Sequence, residues 1–204
     1  VGLHEELISA CRLDDLSMVH AALEAMLAAN TSDETQVMAS FDNEETGSGT
    51  KQGAASPVLR NMLKRIAGSG ENFYRAVEHS FMISADNAHG FHPNYGEKYD
   101  PTNHPLMGGG PVVKFNASQK YSSDADSAAV FSAICKQAGV PCQTFVNHSD
   151  VAGGSTLGNI LTSQIPLRGV DMGNPIWAMH SVRETGSVAD HIYCIRAFTE
   201  FYNA

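Results

Sequence analysis

The sequence has 204 residues, 43% of them hydrophobic and 17% charged, with a formal net charge of -9. Such a length and apolar content fit a globular chain with a real core, as one large domain or two small ones. The acid excess argues against a nucleic-acid partner, which needs clustered Lys and Arg, and no apolar run is long enough to span a bilayer.

No signal peptide is visible. Cys11, Cys135, Cys142 and Cys194 form no CxxC pair, and a chain this size needs no disulfides, so they read as reduced thiols of a cytoplasmic protein. The chain begins at Val1 rather than methionine, consistent with a processed product or a piece of something longer.

In chain order, Leu16, Val19, Leu23, Met26 and Leu27 recur at helical spacing and predict a helix over 14–29, with Asp14 or Asp15 as its N-cap. Residues 35–41 read as a short strand. Residues 53–67 return to helical spacing, with Val58, Leu59, Met62, Leu63 and Ile66 on one face and Pro57 near the first turn. A strand is predicted over 80–85. The stretch 89–110 is rich in Pro, Gly, Asn and His, and an irregular segment of this length is more often functional than idle. Further on, the pattern gives a strand at 111–115 and a helix at 124–138, capped by Ser122, Ser123 or Asp124. It then gives a strand at 142–146, a helix at 154–164, a strand at 169–172 and a helix at 187–202. Helices alternating with short apolar strands predict an α/β domain, layered helix–sheet–helix around a mixed, mostly parallel sheet.

Ligands of such sheets gather beyond the carboxyl ends of strands. Glu44, Glu45 and Asp86 all follow predicted strands. Adjacent Glu44 and Glu45 repel each other, so a cation or a proton between them would relieve the pair. With Asp14 and His180 they make a set of carboxylates and one imidazole, the ligand type expected for Zn²⁺, Mn²⁺ or Co²⁺ at a hydrolytic centre.

Seven strings carry a further signal: 12–16 (Arg-Leu-Asp-Asp-Leu), 42–48 (Asp-Asn-Glu-Glu-Thr-Gly-Ser), 83–89 (Ile-Ser-Ala-Asp-Asn-Ala-His), 92–95 (His-Pro-Asn-Tyr), 108–114 (Gly-Gly-Gly-Pro-Val-Val-Lys), 153–158 (Gly-Gly-Ser-Thr-Leu-Gly) and 178–184 (Ala-Met-His-Ser-Val-Arg-Glu). Together, and in this order, the sequence resembles the M18 family, the aspartyl aminopeptidases. The resemblance implies a zinc-exopeptidase-like fold and a two-metal exopeptidase acting on peptides with N-terminal, often acidic, residues. It also implies a homo-oligomer, a dodecamer when full length. By the same resemblance Asp14 bridges two divalent ions, Glu45 and His180 complete the ligands of one, Asp86 binds the other, and Glu44 is the general base. Lys114 is placed against an acidic substrate side chain, and His89 and His92 line the pocket.

The resemblance also puts a metal-binding histidine, in a His-x-Asp string, and an inserted dimerisation domain upstream of these residues. Residues 1–204 are therefore expected to be the C-terminal part of a catalytic domain without those segments. A non-catalytic fragment or an inactive assembly subunit with an incomplete metal centre is the alternative. A third reading is an α/β domain of another two-metal exopeptidase family. Taken singly, each residue has a plainer reading: Asp14 as an N-cap, Asp86 as a turn residue, His180 as a satisfied histidine and Lys114 as a solvent-facing strand lysine. Gly108, Gly109 and Gly110 precede a strand rather than a helix, which argues against a phosphate cradle.

Overall fold

A computed structural model describes residues 1–204. Its elements are β1 (Leu7–Ala10), α1 (Leu13–Ala28), α2 (Val58–Ala67), α3 (Gly70–Glu78), β2 (Phe81–Ala85), β3 (Ala88–His89), β4 (Val112–Phe115), α4 (Ala125–Gln137), β5 (Gln143–Val146), α5 (Leu157–Thr162), β6 (Arg168–Gly173), β7 (Pro175–Trp177), β8 (Glu184–Ser187) and α6 (Val188–Asn203). The expected mixed α/β architecture is present. Its strands divide between two four-stranded sheets, ordered β2-β6-β4-β5 and β1-β8-β7-β3. The pairings β2/β6, β3/β7 and β4/β5 are parallel, and β1/β8, β4/β6 and β7/β8 are antiparallel, so neither kind predominates.

The sheets are linked by two strands that leave one and join the other side by side. β2 continues into β3 across Asp86 and Asn87, while β6 continues into β7 across Asn174. The ladder persists through the crossing: Asp86 N–H donates to Met172 O and Ala88 N–H to Asn174 O, each at 2.9 Å. Gly173 makes the crossing possible, because a Cβ there would collide with the Asp86 carbonyl. Asp86 is thus held at the point where the ribbon changes sheets.

The main core joins α1, α4 and α6 to the first sheet through Met18, Ala21, Ala25, Phe131, Cys135, Cys194, Ala197, Phe198, Val113, Val170 and Met172. Each large apolar side chain here contributes about 1.5–3 kcal/mol by leaving water. Ala21, Ala25 and Ala197 are small, which lets α1 and α6 approach closely. Of the three cap candidates for α4 the structure selects Asp124, whose carboxylate accepts from Ser127 N–H at 2.8 Å while Ser127 Oγ accepts from Asp124 N–H at 3.0 Å. All four cysteines are free, with Cys135 and Cys194 buried.

Several expectations are corrected. Residues 35–41 form no strand, and no backbone–backbone hydrogen bond involves residues 31–42. Strand propensity without a partner edge makes no ladder. Gln36 instead anchors this segment, donating from Nε2 to Tyr202 O at 2.6 Å and Asn30 O at 3.1 Å. The apolar stripe read on α1 is not its core face, since Leu16, Leu23 and Leu27 are exposed whereas Met18, Ala21 and Ala25 are buried. α1 starts with Arg12 as N-cap, so neither Asp14 nor Asp15 caps it. On α2, Leu59 and Leu63 pack against Phe73, Val77 and Ile165, but Val58, Met62 and Ile66 face out. α2 and α5 are shorter than predicted. β1, α3, β3, β7 and β8 add to the predicted elements.

Candidate metal centre

The start of α1 departs from helical geometry where the first candidate lies. Arg12 is left-handed with φ 60°, and Asp14 and Asp15 have non-helical φ/ψ. The buried Asp14 side chain thereby leaves the helix surface and meets two residues from distant loops. Oδ2 of Asp14 lies 3.2 Å from His180 Nε2, which is also 3.1 Å from Glu45 Oε2. Glu45 comes from the turn that follows residues 35–41. In that turn Gly47 N–H donates to Glu44 O at 2.8 Å and Ser48 N–H to Asn43 O at 2.9 Å. Gly47 takes φ 108° and Asn43 φ 63°, conformations that favour glycine and asparagine.

Candidate ligand atoms of Asp14, Glu45 and His180 lie within 4.8 Å of one another, and so do those of Asp14, Asp15 and Asp86. Asp14 is common to both groups. The structure therefore brings Asp14, Glu45, Asp86 and His180 together and adds Asp15. The chain does hold one His-x-Asp string, His148-Ser149-Asp150, although the resemblance puts the metal-binding one upstream of these residues. It joins neither group: His148 Nδ1 accepts from its own Asp150 N–H at 3.2 Å.

Burial and charge crowding raise the pKa values of these carboxyls. Burial, then Asp86 and Glu45, push the Asp14 pKa up to about 8. Burial, then Asp86 and Asp14, hold Asp15 well above its ordinary value. Glu44 is raised by burial, Asp86 and Glu45, with Lys114 and His180 opposing. Negative groups gathered this closely take up protons in the absence of a cation, and a divalent cation would relieve the same repulsion. The donor set, carboxylates with one imidazole and no thiolate, fits zinc in a hydrolytic setting.

Two residues that no sequence pattern marked build the frame. The fully buried Glu184 accepts from Asp14 N–H at 2.9 Å and from His180 N–H at 2.6 Å, one on each carboxylate oxygen. His180 itself is left-handed, with φ 69°. Asn87 Nδ2 donates to Leu13 O at 2.9 Å and lies 3.3 Å from Asp15 Oδ1. Glu184 and Asn87 lie within quoted strings, but their work is directed at backbone and neighbouring side chains, which spacing does not reveal.

Lys114 is buried on β4 rather than solvent-facing. Its ammonium donates to Asp86 O at 2.9 Å, Asp86 Oδ2 at 3.0 Å and Asn87 O at 3.1 Å. Burial works against its charge, but Asp86 and, more weakly, Tyr121 and Asp171 offset this and hold its pKa above the ordinary value. His89 is exposed on β3, yet partial loss of hydration and the positive Lys114 and His180 hold its pKa below the usual imidazole range. His92 packs its ring 5.3 Å from Trp177 and 5.3 Å from Tyr95.

The family model described as aminopeptidase I zinc metalloprotease (M18) matches residues 1–202. The chain belongs to the M18 family. A probable M18 family aminopeptidase 2 from Clostridium novyi is 52% identical over 207 residues, covering 100% of this chain and 48% of the relative. Among solved structures, one described as the Ape4 and Nbr1 complex superposes with a TM-score of 0.95 at 36% identity, covering 99% of this chain and 40% of that one. Another, described as the S. cerevisiae mApe1 dodecamer, gives 0.86 at 26% identity, covering 99% and 47%. This M18 chain spans about half the length of the curated relatives it matches. None of its helices is long and apolar enough to cross a membrane.

Proposed function

We propose that residues 1–204 are the C-terminal part of the catalytic domain of a cytoplasmic, metal-dependent aminopeptidase. It removes N-terminal residues, preferentially Asp or Glu, from peptides with two divalent ions, Zn²⁺ before Mn²⁺ or Co²⁺. The observation that carries this reading is that Asp14 belongs to both ligand groups. One carboxylate has two oxygens and can be shared by ions about 3.5–4 Å apart. Asp14, Glu45 and His180 would hold one ion, and Asp14 and Asp86, with Asp15 in reach, the other. Bound ions lower the pKa of water towards about 7 and draw charge from a peptide carbonyl.

The protein's own groups do the rest. Glu44 takes the proton of the attacking water and returns it to the leaving amine as the C–N bond breaks. Lys114 supplies the positive charge for an acidic substrate side chain, which must exchange for one of its three present acceptors. His89 and His92 line the approach. By analogy with the dodecameric relative, the whole protein assembles as a homo-oligomer.

Glu44→Gln in the whole protein, assayed with aspartyl and glutamyl chromogenic amides, is expected to lower kcat by about 10²–10⁴ with metal content unchanged. A loss smaller than about threefold removes Glu44 as the base.

One observation favours a second reading. The second group is all carboxylate, and the Lys114 ammonium already lies 3.0 Å from Asp86 Oδ2. An amine in that place would suit an inactive assembly subunit. Metal analysis separates the readings: two tightly held ions per chain of the whole protein exclude the second.

A further inference from the structure

α1 and α6 pack together, and at the surface two imidazoles meet between them. His20 Nδ1 lies 3.0 Å from His191 Nε2, with ring centroids 5.0 Å apart. His20 is six residues beyond Asp14, and neither histidine belongs to the carboxylate groups described above. Only one proton fits between the two nitrogens, so one of them presents a lone pair to the other. Burial and the neighbouring His20 hold His191 below the ordinary imidazole pKa, with Glu24 opposing. Neutral imidazole is the form that binds metals.

The spacing suits a shared ion. Two nitrogens bound to one tetrahedral cation at about 2.0–2.1 Å sit about 3.3–3.4 Å apart, so the pair needs to open by only a few tenths of an ångström. The other nitrogen of His20, Nε2, lies 3.8 Å from Glu24 Oε1, one turn along α1. At that separation the carboxylate favours a proton on Nε2 by charge rather than by a hydrogen bond, which leaves the Nδ1 lone pair for a metal.

We propose that His20 and His191 form a separate surface site for a transition-metal cation such as Zn²⁺ or Ni²⁺. His20 ligates through Nδ1 and His191 through Nε2, the Glu24 charge favours the His20 tautomer with a free Nδ1, and water completes the coordination. An ion here clamps α1 to α6. α1 carries Asp14 at its start, and α6 follows directly from β8, which carries Glu184.

The test is equilibrium dialysis of the whole protein against Ni²⁺, comparing the unmutated chain with His20→Gln, His191→Gln and Glu24→Gln. The unmutated protein is expected to take up one more Ni²⁺ per chain than either histidine variant. Glu24→Gln keeps the stoichiometry and weakens that site about tenfold, the lower end of what outer partners contribute because Glu24 is half exposed. Equal stoichiometry and affinity in the unmutated protein and both histidine variants overturns the proposal. Melting in chelator checks that the variants fold. Should either fail, Ni²⁺ broadening of the His20 and His191 ring signals in the unmutated protein decides: broadening supports the site, and its absence overturns it.

Discussion

Asp14 and His180 enter the candidate centre on backbone N–H groups that end on one buried carboxylate. Glu184 gives one oxygen to each of these two donors. Glu184→Gln keeps the volume but turns one acceptor into a donor facing a donor. The expected cost is about 1–3 kcal/mol of stability, the usual penalty for an unsatisfied buried group. Metal affinity should fall about 10–100-fold, as for other outer partners. Chemical denaturation and zinc competition with a chelator measure the two effects. Unchanged zinc affinity would reduce Glu184 to a structural residue. At this scale the four candidate ligands were legible only as a set, because carboxylates and an imidazole in that order of strings point to a metal where each alone does not. Glu184 was not, because a glutamate that braces backbone looks like any other. Lys114 was half legible: the family-like strings put it at the site, but its type alone suggested a solvent-facing lysine, and nothing local showed that Asp86 and Asn87 take all three of its protons.

α4 was the most readable element because its stop signals, Gly139 and Pro141, and its cap are local. Asp124 and Ser127 satisfy each other's N–H groups without help from the rest of the fold. Asp124→Ala is therefore expected to cost about 1 kcal/mol, lowering Tm by roughly 2–4 °C for a chain of this size. A melting curve checks this, and no shift would mean that the cap is replaced by solvent. Where elements were misread, the deciding partner lies far away in sequence. Residues 35–41 have strand-forming side chains but no edge to join. α3 starts on Gly70, a poor helix former, and is held by the Ser69 cap and by Phe73 and Val77 packing on Ile165. β7 and β8 are three and four residues long, too short for a periodic pattern, and exist through pairing with each other and with β1. On α1 the larger leucines suggested the wrong face, because α6 approaches through alanines.

For the whole molecule, the carboxyl cluster opposes folding unless a proton or a cation joins it. Asp14 has an ordinary pKa of 3.8 when unfolded and about 8 in the metal-free fold. The folded state then binds more protons between these values, so the contribution of Asp14 to stability is fully present below about pH 4 and is lost as pH rises through 8. Asp15 and Glu44, also raised, act in the same direction. Divalent ions invert the slope, because each bound ion displaces protons from the same oxygens. Metal-free protein should therefore lose thermal stability from pH 5 to pH 8, whereas zinc-loaded protein should gain it. Net charge changes over this range too, so Asp14→Asn is the control: without metal its profile should be flatter than that of the unmutated protein. Parallel metal-free profiles for the two would show that Asp14 does not carry the proton. The crowding of acids around it would then have to be relieved by Asp15 or Glu44 instead.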